Sequence, residues 1–267
     1  TSTGVDVVDE FAETIVHKDG KLFYRYGKAL RPITSRRITL SYRTKNGALA
    51  QRSFTAYFTH HGPIVRALDG KWIAEALMNR PIPALEQSWL RTKTHDLASY
   101  MKVAELKANS SNNTIFADAD GHIAYFEANF IPKRDTSFDW SKPVDGSNPK
   151  TDWHGLLSID ESPHLLDPAS GWLYNSNDSP WNSAGPSSPR KSDFPAYVDR
   201  GVESARGHHA VRVLQHTHDF TLETLNAAAY DSYLTAFAQM IPPLLAAYDA
   251  LPASDPLRPK RANQIAQ

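Results

Sequence analysis

Between Lys21 and Met78 the chain runs in short stretches of alternating apolar and polar residues. "KLFYRYG", "RRITLSYR", "RSFTAYFTH" and "KWIAEALM" are rich in aromatic and β-branched side chains, which suit the pleated surface of a strand. Asp19-Gly20, Asn46-Gly47 and Asp69-Gly70 fall between them, and each dipeptide favours a tight hairpin turn. The pattern predicts a meander of antiparallel strands. From Asp96 the period lengthens: Leu97, Tyr100, Met101, Ala104 and Leu106 recur as on one face of an amphipathic helix. "NTIFADADGHIAYFEA" then sets two apolar strands on either side of Asp120-Gly121, which predicts a second hairpin.

Beyond this the punctuation thickens. Residues Asn129 to Trp153 are polar and broken by prolines and glycines, which predicts an irregular loop over the surface. "GWLYNSN" reads as a strand. The Ser/Pro-rich "SPWNSAGPSSPRKSDFP" after it reads as a long loop, either ordered along a site or mobile. After Gly207 the pattern is helical, first "HHAVRVLQHT" and then "TLETLNAAAYDSYLTAFAQMI", with Pro242-Pro243 expected to end the second helix. There is no internal repeat and no clean domain boundary.

Composition narrows the functional classes. With 29 basic and 29 acidic residues among 267, the net charge is zero, so neither nucleic acid nor an anionic membrane surface is indicated as a partner. No apolar run approaches the roughly 20 residues needed to span a bilayer. The absence of cysteine removes disulfides, thiol nucleophiles and thiolate metal sites. The start "TSTG" and the stop "PKRANQIAQ" read as cuts in a longer chain.

Four sets of residues are candidates for chemistry. Thr1 carries a free α-amine, the arrangement used by hydrolases whose N-terminal Ser, Thr or Cys is the nucleophile. Asp6, Val8 and Asp9 offer two carboxylates and a carbonyl, a donor set for Ca²⁺, although Asp pairs also cap helices. The histidines cluster as His60-His61, His208-His209, and His216 with His218; adjacent histidines on a strand point to opposite faces, so one of each pair at most is expected to face a common metal. Finally, "YNSNDSPW" puts amides at the end of an apolar stretch, where an Asn side chain can act as a non-titrating oxyanion donor or simply form an Asx turn.

The stretch "DWHGLLSIDESPHLLDPASGWLYNSNDSP" resembles the penicillin acylase family in its DWxGLL, proline, apolar strand and NxNxSP pattern, without a gap. "TSTGVDVVDEFAET", "HHGPIV" and "FADADGHIAYFEANFIPKR" resemble further family segments in the same order, so the likeness runs from Thr1 to about Leu214. It implies an α+β fold: part of the αββα sandwich of N-terminal nucleophile hydrolases over residues 1–215, with a helical segment over 216–267. It also implies an amide hydrolase acting on a small-molecule amide, with the nucleophilic serine upstream of the segment matched by "TSTG". Thr1 is then not the nucleophile.

Carried over by position, Asn177 matches the oxyanion asparagine and Ser2 the residue whose backbone N–H is a second donor. Asp6, Val8 and Asp9 match calcium-binding positions, with Asp193 a further oxygen donor. The family's substrate-binding arginine falls near His209, flanked by Arg206 and Arg212. Family habit implies a periplasmic or secreted enzyme, completed by a small chain and by the N-terminal part of the larger chain; this piece alone is expected to be inactive. Two other readings stand beside it: a self-contained hydrolase with Thr1 as nucleophile, and a calcium-stabilised β-rich binding module or degenerate acylase without catalysis.

Overall fold

The computed structural model describes residues 7–109, 112–127, 129–199 and 201–258; Thr1, Ser2 and Asp6 lie outside them. Twelve strands and five α-helices are described: β1 (Asp9–Glu13), β2 (Ile15–Lys18), β3 (Lys21–Tyr26), β4 (Ala29–Pro32), β5 (Thr34–Arg43), β6 (Leu49–Phe58), β7 (Ile64–Leu68), β8 (Lys71–Ala76), α1 (Pro81–Leu90), α2 (Leu97–Ala104), β9 (Thr114–Ala117), β10 (Ile123–Phe126), β11 (Val144–Asp145), β12 (His164–Leu166), α3 (Ala205–Leu214), α4 (Leu222–Ala229) and α5 (Thr235–Asp249). The class is mixed α+β. Among the described residues no helix is long and apolar enough to cross a membrane.

The hairpins form where the turn chemistry predicts them. Asp19 and Gly20 both take positive φ (50° and 71°), as do Asp69 and Gly70 (49° and 75°), so the β2–β3 and β7–β8 turns have the handedness that matches strand twist. β5 and β6 pair over ten residues, from Thr34↔Phe58 to Arg43↔Leu49. The strands are not one meander, however. They divide among a β2-β3-β4 sheet, the β5-β6 hairpin and a four-stranded sheet of order β11-β1-β8-β7. That last sheet needs β1, which sequence pattern does not reveal: it pairs antiparallel with β8 (Phe11↔Ala74) and parallel with β11 (Phe11↔Val144).

β1 sets up the chemistry that follows. Its period of two turns Asp9, Phe11 and Glu13 to the buried face. Phe11 joins Ala74, Ala76, Ile131, Trp140, Val144, Leu157 and Val198 in the main core. Two carboxylates therefore flank an aromatic ring on the inward side of a buried strand, where each needs a compensating partner.

Elsewhere the helix at Leu97 starts with a full capping box, the Asp96 carboxylate accepting from Ser99 N at 2.7 Å while Ser99 Oγ accepts from Asp96 N. It packs Tyr100 and Ala104 onto Ala124 and Phe126 of the β9–β10 hairpin, the second core.

Three expectations are corrected. Residues 129–153 are irregular but do not merely wrap the surface: Phe130, Ile131, Trp140, Val144 and Thr151 are buried, and Leu157 N donates to Ile131 O at 2.8 Å, so much of the backbone is satisfied internally. "GWLYNSN" is no ladder strand; Tyr174 N donates to Ser183 O instead, folding the segment onto the loop that follows. Pro242 and Pro243 lie inside α5 rather than after it. The predicted second helix breaks earlier, between α4 and α5, where the Asp231 carboxylate accepts from Tyr233 N at 3.0 Å and pairs with Arg212 at 3.6 Å.

Candidate functional site

Asn177 sits at the tip of the 174–179 segment with φ +59°, a left-handed conformation that Asn tolerates better than most residues. Its neighbours anchor it. Asn177 N donates to Asn175 Oδ1 at 3.1 Å, and the buried Asp178 carboxylate accepts from Ser176 N on one oxygen and from Ser204 N and Oγ on the other. Ser204 is also the N-cap of α3, so Asp178 ties the loop to the start of that helix. Gly207 permits this approach, because a Cβ there would overlap Asp178 Oδ2 and lie 2.7 Å from the Tyr174 hydroxyl. Burial first, then the nearby Asp178 and Glu203 carboxylates, push Tyr174 well above the usual phenol range.

Arg206, in the first turn of α3, donates from Nη1 and Nη2 to Asn177 Oδ1, both at 3.1 Å. With the carbonyl end of the amide so held, the NH₂ end is fixed as its opposite prong, the end that can donate to developing negative charge. Of the two candidate arginines it is Arg206 that reaches Asn177. Arg212 instead lies over the Tyr233 ring at 3.9 Å, and His209 bonds Thr235 Oγ1 at 3.2 Å.

The Asp9 carboxylate is buried, and its Oδ2 accepts from Arg134 Nε and Trp153 Nε1, each at 2.6 Å. Arg134 is buried as well. Asp6 and Ser2 fall outside the described residues, and Asp193 is exposed, paired with Arg190 at 3.1 Å. A calcium ion takes six to eight oxygens. The Val8 carbonyl and the other Asp9 oxygen are the most these positions supply, so the described residues do not by themselves fit a complete calcium site.

A second constellation was not anticipated in this form. His60 and His61 lie in a bend after β6, not on a strand, and their rings converge with centroids 3.8 Å apart. The bend depends on Gly62, with φ +149°, since a Cβ there would collide with the Glu75 carbonyl oxygen of β8. The histidines line a cleft of about 760 Å³ together with Phe11, Phe58, Asp152 and Trp153. Both His Nε2 atoms face Asp152 Oδ1, at 3.3 Å from His60 and 3.1 Å from His61, while the Tyr26 hydroxyl donates to Asp152 Oδ2. Burial pushes the Asp152 carboxyl up, but hydrogen bonds from Tyr26, His61 and His60 outweigh it and leave the group below its ordinary value. His60 is lowered, chiefly by burial and then by the charge of His61. The other histidine groups stay apart: His208 pairs with Glu203 at 3.1 Å, and His216 bonds the neighbouring Gln215.

The family described as penicillin amidase matches residues 1–266. A penicillin G acylase from Escherichia coli is 30% identical over 189 residues, which are 66% of this chain and 20% of the relative. Among solved structures, a thermostable penicillin G acylase from Alcaligenes faecalis superposes with a TM-score of 0.71 at 23% identity, covering 100% of this chain and 47% of that one. The chain thus spans about a fifth of the curated relative's length and under half of the solved chain.

Proposed function

The chain belongs to the penicillin amidase family, and on that premise we propose that it forms part of an amidohydrolase in which Asn177 binds the oxyanion during cleavage of a linear amide. The observation that carries this reading is the Arg206 fork on Asn177 Oδ1, which orients the side-chain amide before any substrate arrives. In the proposed reaction an N-terminal serine from outside these 267 residues attacks the amide carbonyl with its own α-amine as base. The negative charge that develops on the carbonyl oxygen is met by Asn177 Nδ2 and by Ser2 N–H. A donor already in place gains strength in the transition state without reorganising, so it lowers the barrier rather than only binding substrate. The same reading places residues 1–215 in an αββα sandwich and the enzyme in the periplasm or outside the cell.

The experiment is Asn177→Ala in the full-length protein. Turnover is expected to fall by about 10² to 10³, the usual cost of one oxyanion donor; a folded variant with unchanged kcat refutes the assignment. Calcium enters the proposal only with Asp6 completing the donors of Val8 and Asp9. Chelation should then lower the melting temperature of the full-length enzyme, and an unchanged melting curve would remove the ion.

A further inference from the structure

The histidine cleft has no part in the amide chemistry proposed above, yet its side chains are arranged for a ligand. We propose that His60, His61 and Asp152 form a binding site for one zinc-type divalent cation, with the fourth coordination position opening into the cleft. The site does not rest on the amidase reading.

The geometry comes first. Phe11 stacks on the His61 ring at 3.8 Å and 7°, and Glu13 Oε1 lies 2.8 Å from its Nδ1, which leaves Nε2 directed at Asp152. The Tyr24 hydroxyl holds His60 Nδ1 at 3.0 Å and leaves His60 Nε2 directed at the same oxygen. All three ligand atoms lie within 4.8 Å of one another. Tetrahedral zinc, with bonds of about 2.0–2.2 Å to imidazole and carboxylate, spaces its ligand atoms roughly 3.3 Å apart. The two N···O edges here are 3.3 and 3.1 Å, already at that spacing. The remaining edge, between the two histidine nitrogens, is no longer than 4.8 Å, and the His60 side chain is partly exposed.

Hydrogen-bond bookkeeping points the same way. An ionised carboxylate only accepts, so His61 spends one N–H on Glu13 and must meet Asp152 with either a second N–H or a lone pair shared with a cation. Among the described residues, the ion-pair partners of Glu13 and Asp152 are the two histidines; no lysine or arginine pairs with either. Glu13 is fully buried and its Oε2 has no hydrogen-bond partner, Oε1 alone accepting from Thr59 and facing His61. Glu13 and Asp152 bring two carboxylates to the same pair of rings, and a divalent ion held between them would neutralise that charge. Glu13 behind His61 is also the carboxylate–histidine–metal relay that fixes a ligand's tautomer. Two imidazoles and one carboxylate select zinc over the all-oxygen preferences of calcium and magnesium. The open position would hold water or an anionic group of a molecule in the cleft.

The test uses the full-length protein stripped of metal and titrated with Zn²⁺ by calorimetry, and separately with Co²⁺ as a spectroscopic probe. The expected result is one ion per chain and the visible absorption of tetrahedral cobalt. His60→Gln and Asp152→Asn should abolish both signals, and Glu13→Gln should weaken binding by about 10- to 100-fold. His218→Gln, a histidine elsewhere, should leave binding unchanged. X-ray absorption of the zinc-loaded wild-type chain gives a readout independent of any variant, with two imidazoles and one carboxylate oxygen expected. Absence of stoichiometric binding, an absorption spectrum without the histidine pair, or binding that survives in the folded His60→Gln and Asp152→Asn variants would each overturn the site.

Discussion

Arg206 holds Asn177 by its oxygen: both terminal guanidinium nitrogens stand 3.1 Å from Oδ1. The contact joins the first turn of α3 to a loop residue 29 positions earlier. On the proposed reading, in which Asn177 binds the oxyanion, Arg206 has a positioning role and acts on substrate through the amide it orients.

Replacing Arg206 with Ala in the full-length enzyme therefore lowers kcat while leaving KM nearly unchanged. A hydrogen bond to a charged group contributes roughly 1.5–3 kcal/mol, so the expected loss is on the order of ten- to a hundredfold. Kinetics on a variant with wild-type melting behaviour provide the check. A rise in KM at constant kcat would instead mark Arg206 as a binding residue alone.

The Asp9–Arg134 pair makes a different demand. Both side chains are almost completely buried, and their closest approach is 2.6 Å. Arg134→Met strands the Asp9 carboxylate with Trp153 as its remaining side-chain donor among the described residues, and an uncompensated buried charge costs about 3–5 kcal/mol. Urea unfolding of the single variant should show that loss. The double variant Arg134→Met, Asp9→Asn should recover part of it, because no charge is then left behind.

His122 and Asp167 form an exposed pair at 2.8 Å, joining the start of β10 to the end of β12. The Asp167 hydrogen bond raises the His122 pKa, and the His122 hydrogen bond lowers that of Asp167. The raised histidine contributes stability below its unfolded pKa and loses it as pH climbs through the folded value. The depressed aspartate contributes above its unfolded pKa and loses it as pH falls through the folded one. Their joint contribution is confined to the window between. NMR titration should place His122 above the ordinary histidine range, and Asp167→Asn or high salt should return it there. A His122 titration untouched by Asp167→Asn would dismiss the pairing.

The hairpins were legible because Asp-Gly turns carry their own conformational preference, independent of the rest of the chain. β1 was not. Its inward positions are Asp9, Phe11 and Glu13, so the alternation that marks a buried strand is absent from its letters. Those acids can be buried only because Arg134, Trp153 and His61 arrive from far along the chain. The irregular 129–153 segment misled for the same reason: proline and glycine mark a break in regular structure but say nothing about burial. The opposite-face rule for His60 and His61 assumed a strand, whereas the pair lies in a bend shaped by Gly62. Asn177 was singled out through resemblance, while its bond to Arg206 required the fold.

The left-handed backbone at residue 177 narrows the alphabet available there to a few letters, and the proposed chemistry narrows it further. Glycine keeps the conformation and loses the donor. Aspartate keeps the conformation but, under the proposed oxyanion role, would set an anion where negative charge gathers. Glutamine retains an amide yet lacks the short side chain that eases a positive φ. Backbone and chemistry impose separate filters on the same codon, and asparagine passes both. A random library at this position should therefore return asparagine from an activity selection, but a mixture of asparagine, glycine and aspartate from a selection for folding alone.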